Sequence, residues 1–330
     1  MSDQGEAQGR GAPVLCVGIP TYQRRAAVMT AVGQFRAALE GLSAEILVAD
    51  NASSDGTVEA VRELTEQGDA GVPVRIVAGE ENSGLSGNFV RLARGARSEY
   101  LLLISDEDGP AKSAVYERLI LALQEDPVDV LVAPSRRIAA GEDVSPAALW
   151  SVTKFMPGIV FRRRPLLAAI DRIEGIASTR DIIGIWNLWS FYVAALDVRL
   201  SGGTSRVHPD ALRVQRDQLP TRVIEDPAVR RTIDPKDIPV GGERLAYKTL
   251  TSRLQQASAL LTFLEARAQV APDPDGLDAV RREVERKVFD LVEKRIRLTH
   301  PNLSDPFLRG ARRRSGLRGV LTRVRAQLSR

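Results

Sequence analysis

Three short apolar runs, each closing on a polar cluster, constrain the fold of this chain more than any other feature. Val14–Ile19 leads into Pro20-Thr21-Tyr22, Ile46–Ala49 into Asp50-Asn51-Ala52-Ser53-Ser54-Asp55-Gly56, and Tyr100–Ser105 into Asp106-Glu107-Asp108. Short apolar β-prone runs bounded by turn residues read as buried strands of a parallel sheet. In open α/β sheets, ligands bind outside the carboxyl ends of the strands. Three polar clusters at such ends predict one site rather than three unrelated surface loops.

Helical periods separate the runs. Val28, Ala31, Val32, Phe35, Leu39 and Leu42 repeat at helical spacing after Pro20, and Val58, Val61 and Leu64 follow a cap at Ser54 or Asp55. Val74–Ala78 reads as a strand, and Gly79–Gly87 as a Gly/Asn/Ser loop opening a helix with Phe89, Leu92, Ala93 and Ala96 on one face. Val115, Leu119, Ala122 and Leu123 mark a further helix before a strand at Val128–Ala133. The predicted fold class is α/β: a Rossmann-like, mostly parallel sheet with helices on both faces. Beyond it, Pro134–Thr153 reads as a long connection, Gly158–Phe161 as a strand, Pro165–Ile173 as a short helix, and Ile182–Leu196 as an apolar helix preceded by Asp181. Ser201–Gly242 reads as irregular. Two helical patterns, through Leu250–Leu264 and Val280–Ile296, join at a Pro272–Gly276 turn and predict a C-terminal helical extension. The expected division is a flexible tail at 1–12, one domain over 13–240 with halves 13–133 and 134–240, a helical hairpin at 241–300 and a basic tail at 301–330.

Composition narrows the class. The single Cys16 excludes a disulfide framework and fits a reducing compartment, and two distant histidines, His208 and His300, make a zinc site a poor expectation. Residues 1–10 carry no apolar signal core, and no apolar run is long enough to span a membrane. The expected location is cytoplasmic. The net charge of +4 is local in origin: residues 307–330 hold eight arginines and no acid, so residues 1–306 carry −4. That distribution argues against a nucleic-acid-binding core. It leaves two readings of the tail, a solvated segment or a peripheral contact with the anionic inner face of a membrane, where Val320, Leu321, Val324 and Leu328 would share one helical face.

The Asp106-Glu107-Asp108 cluster carries the sharpest chemistry. Closely spaced carboxylates repel one another and are stabilised by a cation among them; hard oxygen ligands suit Mg²⁺ or Mn²⁺ shared with substrate phosphates. A solvated turn is the alternative reading of such a cluster taken alone. Asp50 ends a buried strand, where an unpaired charge is costly, so a nucleoside donor is a natural partner. Asp55 reads mainly as a turn and cap residue. Asn82, Gly84 and Asn88, in Asn82-Ser83-Gly84-Leu85-Ser86-Gly87-Asn88, form either a phosphate cradle or a plain glycine-rich turn. No GxGxxG spacing is present, which disfavours a dinucleotide oxidoreductase.

Taken together and in this order, I-P-T-Y-Q-R-R, E-I-L-V-A-D-N-A-S-S-D-G-T, N-S-G-L-S-G-N and S-E-Y-L-L-L-I-S-D-E-D resemble family-2 glycosyltransferases of the GT-A fold, over about residues 13–125. The resemblance implies a nucleotide-diphosphate-sugar donor, with Pro20, Thr21 and Tyr22 against the nucleotide, Asp50 on the nucleoside, and Asp106 and Asp108 on the metal and diphosphate. Glu107 is left open as a participant. It further implies a catalytic base near the start of a later helix, for which Asp181 fits the place and Glu225 or Asp226 is the fallback; Asp181 is equally an ordinary N-cap. The acidic doublet usual in the family is absent at 180–182, as is a Q-x-x-R-W signature. The expected activity is therefore a single transfer of a hexosyl group to the hydroxyl of a saccharide or lipid-linked acceptor, metal-assisted and inverting. Two rivals stand beside it: a sugar-phosphate nucleotidyltransferase, disfavoured by Pro-Thr-Tyr where a glycine-rich loop is expected, and a non-catalytic nucleotide-sugar-binding scaffold. Trp150, Trp186 and Trp189 read either as an acceptor platform or as core, Arg162-Arg163-Arg164 as an acceptor contact or a solvated run, and His208 as a loop residue.

Overall fold

A computed structural model describes residues 12–66, 71–134, 138–153, 156–179, 183–215, 250–268, 270 and 273–299. The first half alternates β1 (Leu15–Thr21), α1 (Arg25–Ala38), β2 (Ala44–Asp50), α2 (Thr57–Glu66), β3 (Val74–Ala78), α3 (Gly84–Gly95) and β4 (Tyr100–Leu103). There follow β5 (Asp108–Pro110), α4 (Ser113–Glu125), β6 (Val130–Val132), α5 (Pro146–Val152), β7 (Val160–Arg162), α6 (Arg163–Thr179) and α7 (Ile183–Leu200). The described chain closes with β8 (Ser205–Val207), β9 (Arg213–Gln215), α8 (Leu250–Arg267) and α9 (Pro274–Thr299). Seven strands form one sheet in the order β3-β2-β1-β4-β7-β6-β8, and β5 and β9 form a second, two-stranded one. The large sheet is parallel apart from β7, which runs antiparallel to both β4 and β6.

Period-two alternation sorts the strand residues between two cores. Leu15, Val17 and Ile19 of β1, with Ile46 and Val48 of β2, pack with Val28 and Phe35 of α1 and Tyr116 of α4. On the other face Cys16, Leu47, Ala49, Leu101 and Leu103 pack with Phe89 and Leu92 of α3 and Leu166 and Ile170 of α6. Buried residues from Phe191 to Leu200 of α7 continue this second core into Phe263 of α8 and Val284 of α9. The helical extension is thus part of one of the two cores rather than an appendage. It is pinned there by Asp197 of α7, fully buried, whose carboxylate lies 2.7 Å from Arg172 of α6 and 2.8 Å from Arg267 of α8. Burial raises the Asp197 carboxyl above its ordinary pKa, and the two guanidinium groups offset part of that cost.

Glu45 is the corresponding polar anchor inside β2. Its buried carboxylate accepts from Arg75 of β3 at 2.7 Å and from the Arg97 and Ser98 N–H groups at 2.7 and 3.0 Å. Burial pulls its pKa up, but the combined donors hold it below the usual carboxylate range.

Several sequence expectations need correction. The segment Pro134–Thr153 is not structureless: it contains α5, whose start is capped by Ser145 Oγ accepting from Ala148 N at 3.2 Å. The helix begun near Pro165 spans 17 residues rather than nine, because its apolar face continues to Ile173 and Ile176. Ser201–Gly242 is not wholly irregular; it supplies β8 and β9. His208 does lie in a loop, just after β8, but it is buried there; burial lowers its pKa and Nδ1 lies 2.8 Å from the Asp210 carbonyl. Arg162 pairs with Glu99 at 2.9 Å, and Arg163 donates to the Ala93 carbonyl at 3.2 Å near the end of α3, so two of the three consecutive arginines serve the scaffold. The side chains of Trp150, Trp186 and Trp189 lie outside the described residues.

Candidate active site

Parallel pairing delivers the predicted clusters to one edge. The β1–β2 register runs from Leu15 against Ala44 to Thr21 against Asp50, which sets those last two side by side. The β1–β4 register reaches Gly18 against Leu103. Three residues further along both chains, Thr21 Oγ1 donates to Asp106 Oδ2 at 2.9 Å. Thr21 is therefore the shared point between the second and third clusters, and Asn51 N donates to its carbonyl at 3.1 Å.

Asp50 is fully buried, and its two oxygens differ. Oδ2 accepts from Ser53 N at 2.7 Å, closing the turn after β2, while Oδ1 has no hydrogen-bond partner. A buried acceptor without a donor costs about 1–3 kcal/mol, so such an atom marks where a ligand's donor belongs. The turn around it is tense: Ala52 at φ 62° and Gln23 at φ 53° both occupy the left-handed region that β-carbons disfavour. The two turns hold each other, Gln23 N donating to Ser53 Oγ at 2.8 Å and Arg25 N to Asp55 Oδ2 at 2.9 Å. Burial acts to raise the Asp55 carboxyl, yet the donors from Thr57 and Arg25 bring it below its ordinary pKa. It fixes α1 and α2 and is a scaffold residue, as the sequence suggested.

The glycine-rich segment opens α3 beside this turn. Gly84 adopts φ +72°, and a β-carbon at Gly87 would fall 1.8 Å from Ser83 Oγ. Both positions require glycine for the helix to start so close to the turn after β2. Asn82 is exposed, and its Oδ1 accepts from Gly84 N at 3.0 Å and from Asn51 Nδ2. Asn88 is buried instead, donating to the Thr21 carbonyl at 3.0 Å and accepting from Arg91 at 2.9 Å. Asn88 thus ties α3 to the end of β1. Pro20 is buried in β1, and Tyr22 is half-buried just beyond it.

The acidic cluster is equally specific. Asp106 and Asp108 are each 3% exposed. Asp106 Oδ1 lies 3.0 Å from Arg24 Nη1, and Arg24 Nη2 reaches Glu107. Asp108 Oδ1 lies 2.6 Å from Arg213 Nη1 on β9, and Oδ2 accepts from Ser105 N at 3.0 Å. Among the described residues no set of three or more acids, histidines or cysteines is gathered for a metal ion. A pair of buried, all-oxygen carboxylates still fits Mg²⁺ or Mn²⁺, because these ions take one or two protein carboxylates and complete their shell with water and substrate phosphate. Guanidinium groups of Arg24 and Arg213 occupy one oxygen of each acid.

Sequence reasoning brought together Thr21, Asp50, Asn82, Gly84, Asn88, Asp106 and Asp108. It missed Arg24 and Arg213, whose partners lie far along the chain, and Ser86, whose buried Oγ has no partner. Ser86 had a signal: it is a polar residue on the Phe89–Ala93 face of α3. Asp181, Glu225 and Asp226 lie outside the described residues. At the opposite edge of the sheet an open cavity of about 1190 Å³ runs past Arg36, Glu40, Glu45, Arg75 and Arg97. The Glu45 carboxylate there is already saturated by donors, so the cavity does not rival the site at the carboxyl edge.

Comparison with known proteins bears on the family and the fold. Residues 16–176 match Glycosyl transferase family 2. Over that segment the chain belongs to the family, and the protein is a glycosyltransferase of GT-A fold. Its fold is similar to that of the mannosyltransferase PcManGT from Pyrobaculum calidifontis, solved in complex with GDP-Man and Mn²⁺, at TM-score 0.52 and 16% identity over 97% of this chain and 81% of the other. It is also similar to S. aureus TarS 1-349 at TM-score 0.53 and 14% identity, over 88% and 76% of the two chains. No curated protein matches the chain by sequence.

Proposed function

We propose that the protein transfers a single sugar from a nucleotide-diphosphate-sugar donor to a hydroxyl acceptor, metal-assisted and with inversion. The observation that carries this reading is Asp50: a fully buried carboxylate with one oxygen unpartnered, across β1 from the Asp106/Asp108 pair, with Thr21 of β1 beside it in register and bonded to Asp106. Asp50 would accept from the nucleoside, while Asn82, Gly84 and the Pro20-Thr21-Tyr22 turn would bound the donor. Asp106 and Asp108 would hold a Mg²⁺ or Mn²⁺ ion. Such an ion supplies Lewis-acid stabilisation of the negative charge that develops on a departing diphosphate.

The chain's own residues would do the rest. Thr21 and Ser105 N hold the two aspartates through their second oxygens. A carboxylate base takes the proton of the acceptor hydroxyl as it attacks the sugar carbon opposite the diphosphate; Asp181 is proposed for this role, with Glu225 or Asp226 in reserve. The acceptor is a saccharide or a lipid-linked sugar, and residues 307–330 would bring the enzyme to an anionic membrane surface on the cytoplasmic side. The mannosyltransferase with bound GDP-Man and Mn²⁺ is consistent with such a donor and ion.

A thermal-shift panel of nucleotide sugars, with and without Mn²⁺, tests the reading. A ligand bound only by the native state stabilises it by RT ln(1 + [L]/Kd) and so raises the melting temperature. One nucleotide class should stabilise the chain, and more strongly with Mn²⁺. No shift with any nucleotide sugar would refute the donor assignment.

A further inference from the structure

Arg24 and Arg213 come to the acidic cluster from opposite sides. Arg24 follows Gln23, whose left-handed backbone turns the chain back toward the strand edge before α1 begins. Arg213 stands on β9, which pairs antiparallel with β5 so that Arg213 faces Pro110 and Gln215 faces Asp108. Each guanidinium takes the first oxygen of one aspartate, while a neutral donor takes the second: Thr21 for Asp106 and Ser105 N for Asp108. Both arginine side chains keep solvent access, at 23% and 30% exposure, whereas the aspartates beneath them have almost none.

We propose that Arg24 and Arg213 are diphosphate-binding residues held in reserve on Asp106 and Asp108, and that a divalent cation and the donor diphosphate exchange them off these acids together. The inference rests on the donor reading given above. A cation entering between the aspartates competes with the guanidinium groups for the same Oδ1 atoms. Once displaced, each arginine retains five donors in a planar fork that fits phosphate oxygens. The released arginines would lie beside the phosphates the cation binds. The arginines thus oppose cation binding alone and favour cation and diphosphate together. Such coupling is reciprocal: whatever nucleotide does for Mn²⁺ affinity, Mn²⁺ does for nucleotide affinity.

Mn²⁺ titration followed by electron paramagnetic resonance of the free ion, on the full chain with and without saturating UDP or GDP, tests this. The wild type should bind Mn²⁺ weakly alone and much more tightly with nucleotide. Arg24→Gln and Arg213→Gln should each tighten Mn²⁺ binding in the absence of nucleotide, by about tenfold for one lost charge-assisted competitor, and should shrink the nucleotide coupling. Arg24→Lys and Arg213→Lys keep the charge without the fork; they should leave Mn²⁺ affinity near the wild-type value and still reduce coupling. These variants also decide the matter if a glutamine variant fails to fold. Unchanged Mn²⁺ affinity and unchanged coupling in folded variants would overturn the proposal alone. Absence of nucleotide binding by the wild type would remove the donor reading and the proposal together.

Discussion

Asp50 combines a structural cost with a functional position. Its unpartnered Oδ1 weakens the native state, and the turn that presents it contains a strained Ala52. Local rules broken at one place, with the rest of the fold consistent, are the pattern expected of a binding site. Asp50→Ala should therefore lower nucleotide affinity by about tenfold or more, the worth of a hydrogen bond to a charged group, while its melting midpoint holds or rises. Asp106→Ala and Asp108→Ala should abolish metal-supported transfer and leave the far-ultraviolet dichroism unchanged, since both acids lie beyond the strand that carries the core. Near-normal turnover of both variants in metal-free buffer would contradict the assignment. Asp181→Asn should spare donor affinity and lower transfer by about 10²–10⁴; an unaffected rate would move the base to Glu225 or Asp226.

At the scale of elements, two polar anchors keep the strand edge in place. Glu45 joins β2 to β3 and to the start of β4 through Arg75, Arg97 N and Ser98. Glu45→Ala should cost about 1.5–3 kcal/mol in denaturant unfolding. Because the folded pKa of Glu45 is lowered, its contribution is complete above the unfolded value and fades as pH falls through the folded one. Wild type and variant should converge in acid, and a gap that persists or widens there would exclude Glu45 as the source. Arg267→Ala should destabilise by about 3–5 kcal/mol, because it leaves Asp197 buried with less compensation. The elements of the first half were legible because each strand is an apolar run that ends abruptly in Asp, Asn, Thr or Gly. The strands β5, β8 and β9 were not: each is short and lacks the apolar run that marks β6 and β7, and their partners lie far along the chain. For the same reason Asp50, Asp106 and Asp108 could be read from local context, whereas Arg24 and Arg213 acquire meaning only once register brings them to those acids. The length of α6 was underestimated at both ends: its first turn follows β7 without a loop, and its apolar face runs on past Ile173 to Ile176.

At the scale of the molecule, the sheet places all three clusters at its carboxyl edge, and the helical extension is welded to one face through the second core. Charge is divided as well: −4 over residues 1–306 against eight arginines in 307–330. Among the described residues no helix is long and apolar enough to cross a membrane. Deleting residues 307–330 should reduce sedimentation with anionic vesicles and leave donor binding untouched; equal sedimentation of the two forms would end the proposal that the tail docks on a membrane. The central claim is that a nucleotide-diphosphate-sugar occupies the edge between Asp50 and Asp106/Asp108. Calorimetric titration of the nucleotide sugar selected by thermal shift, into wild type and Asp50→Ala with Mn²⁺ present, tests it most directly. The account predicts one site per chain in the wild type and affinity at least about tenfold weaker in the variant. Equal affinities in the two proteins would contradict it.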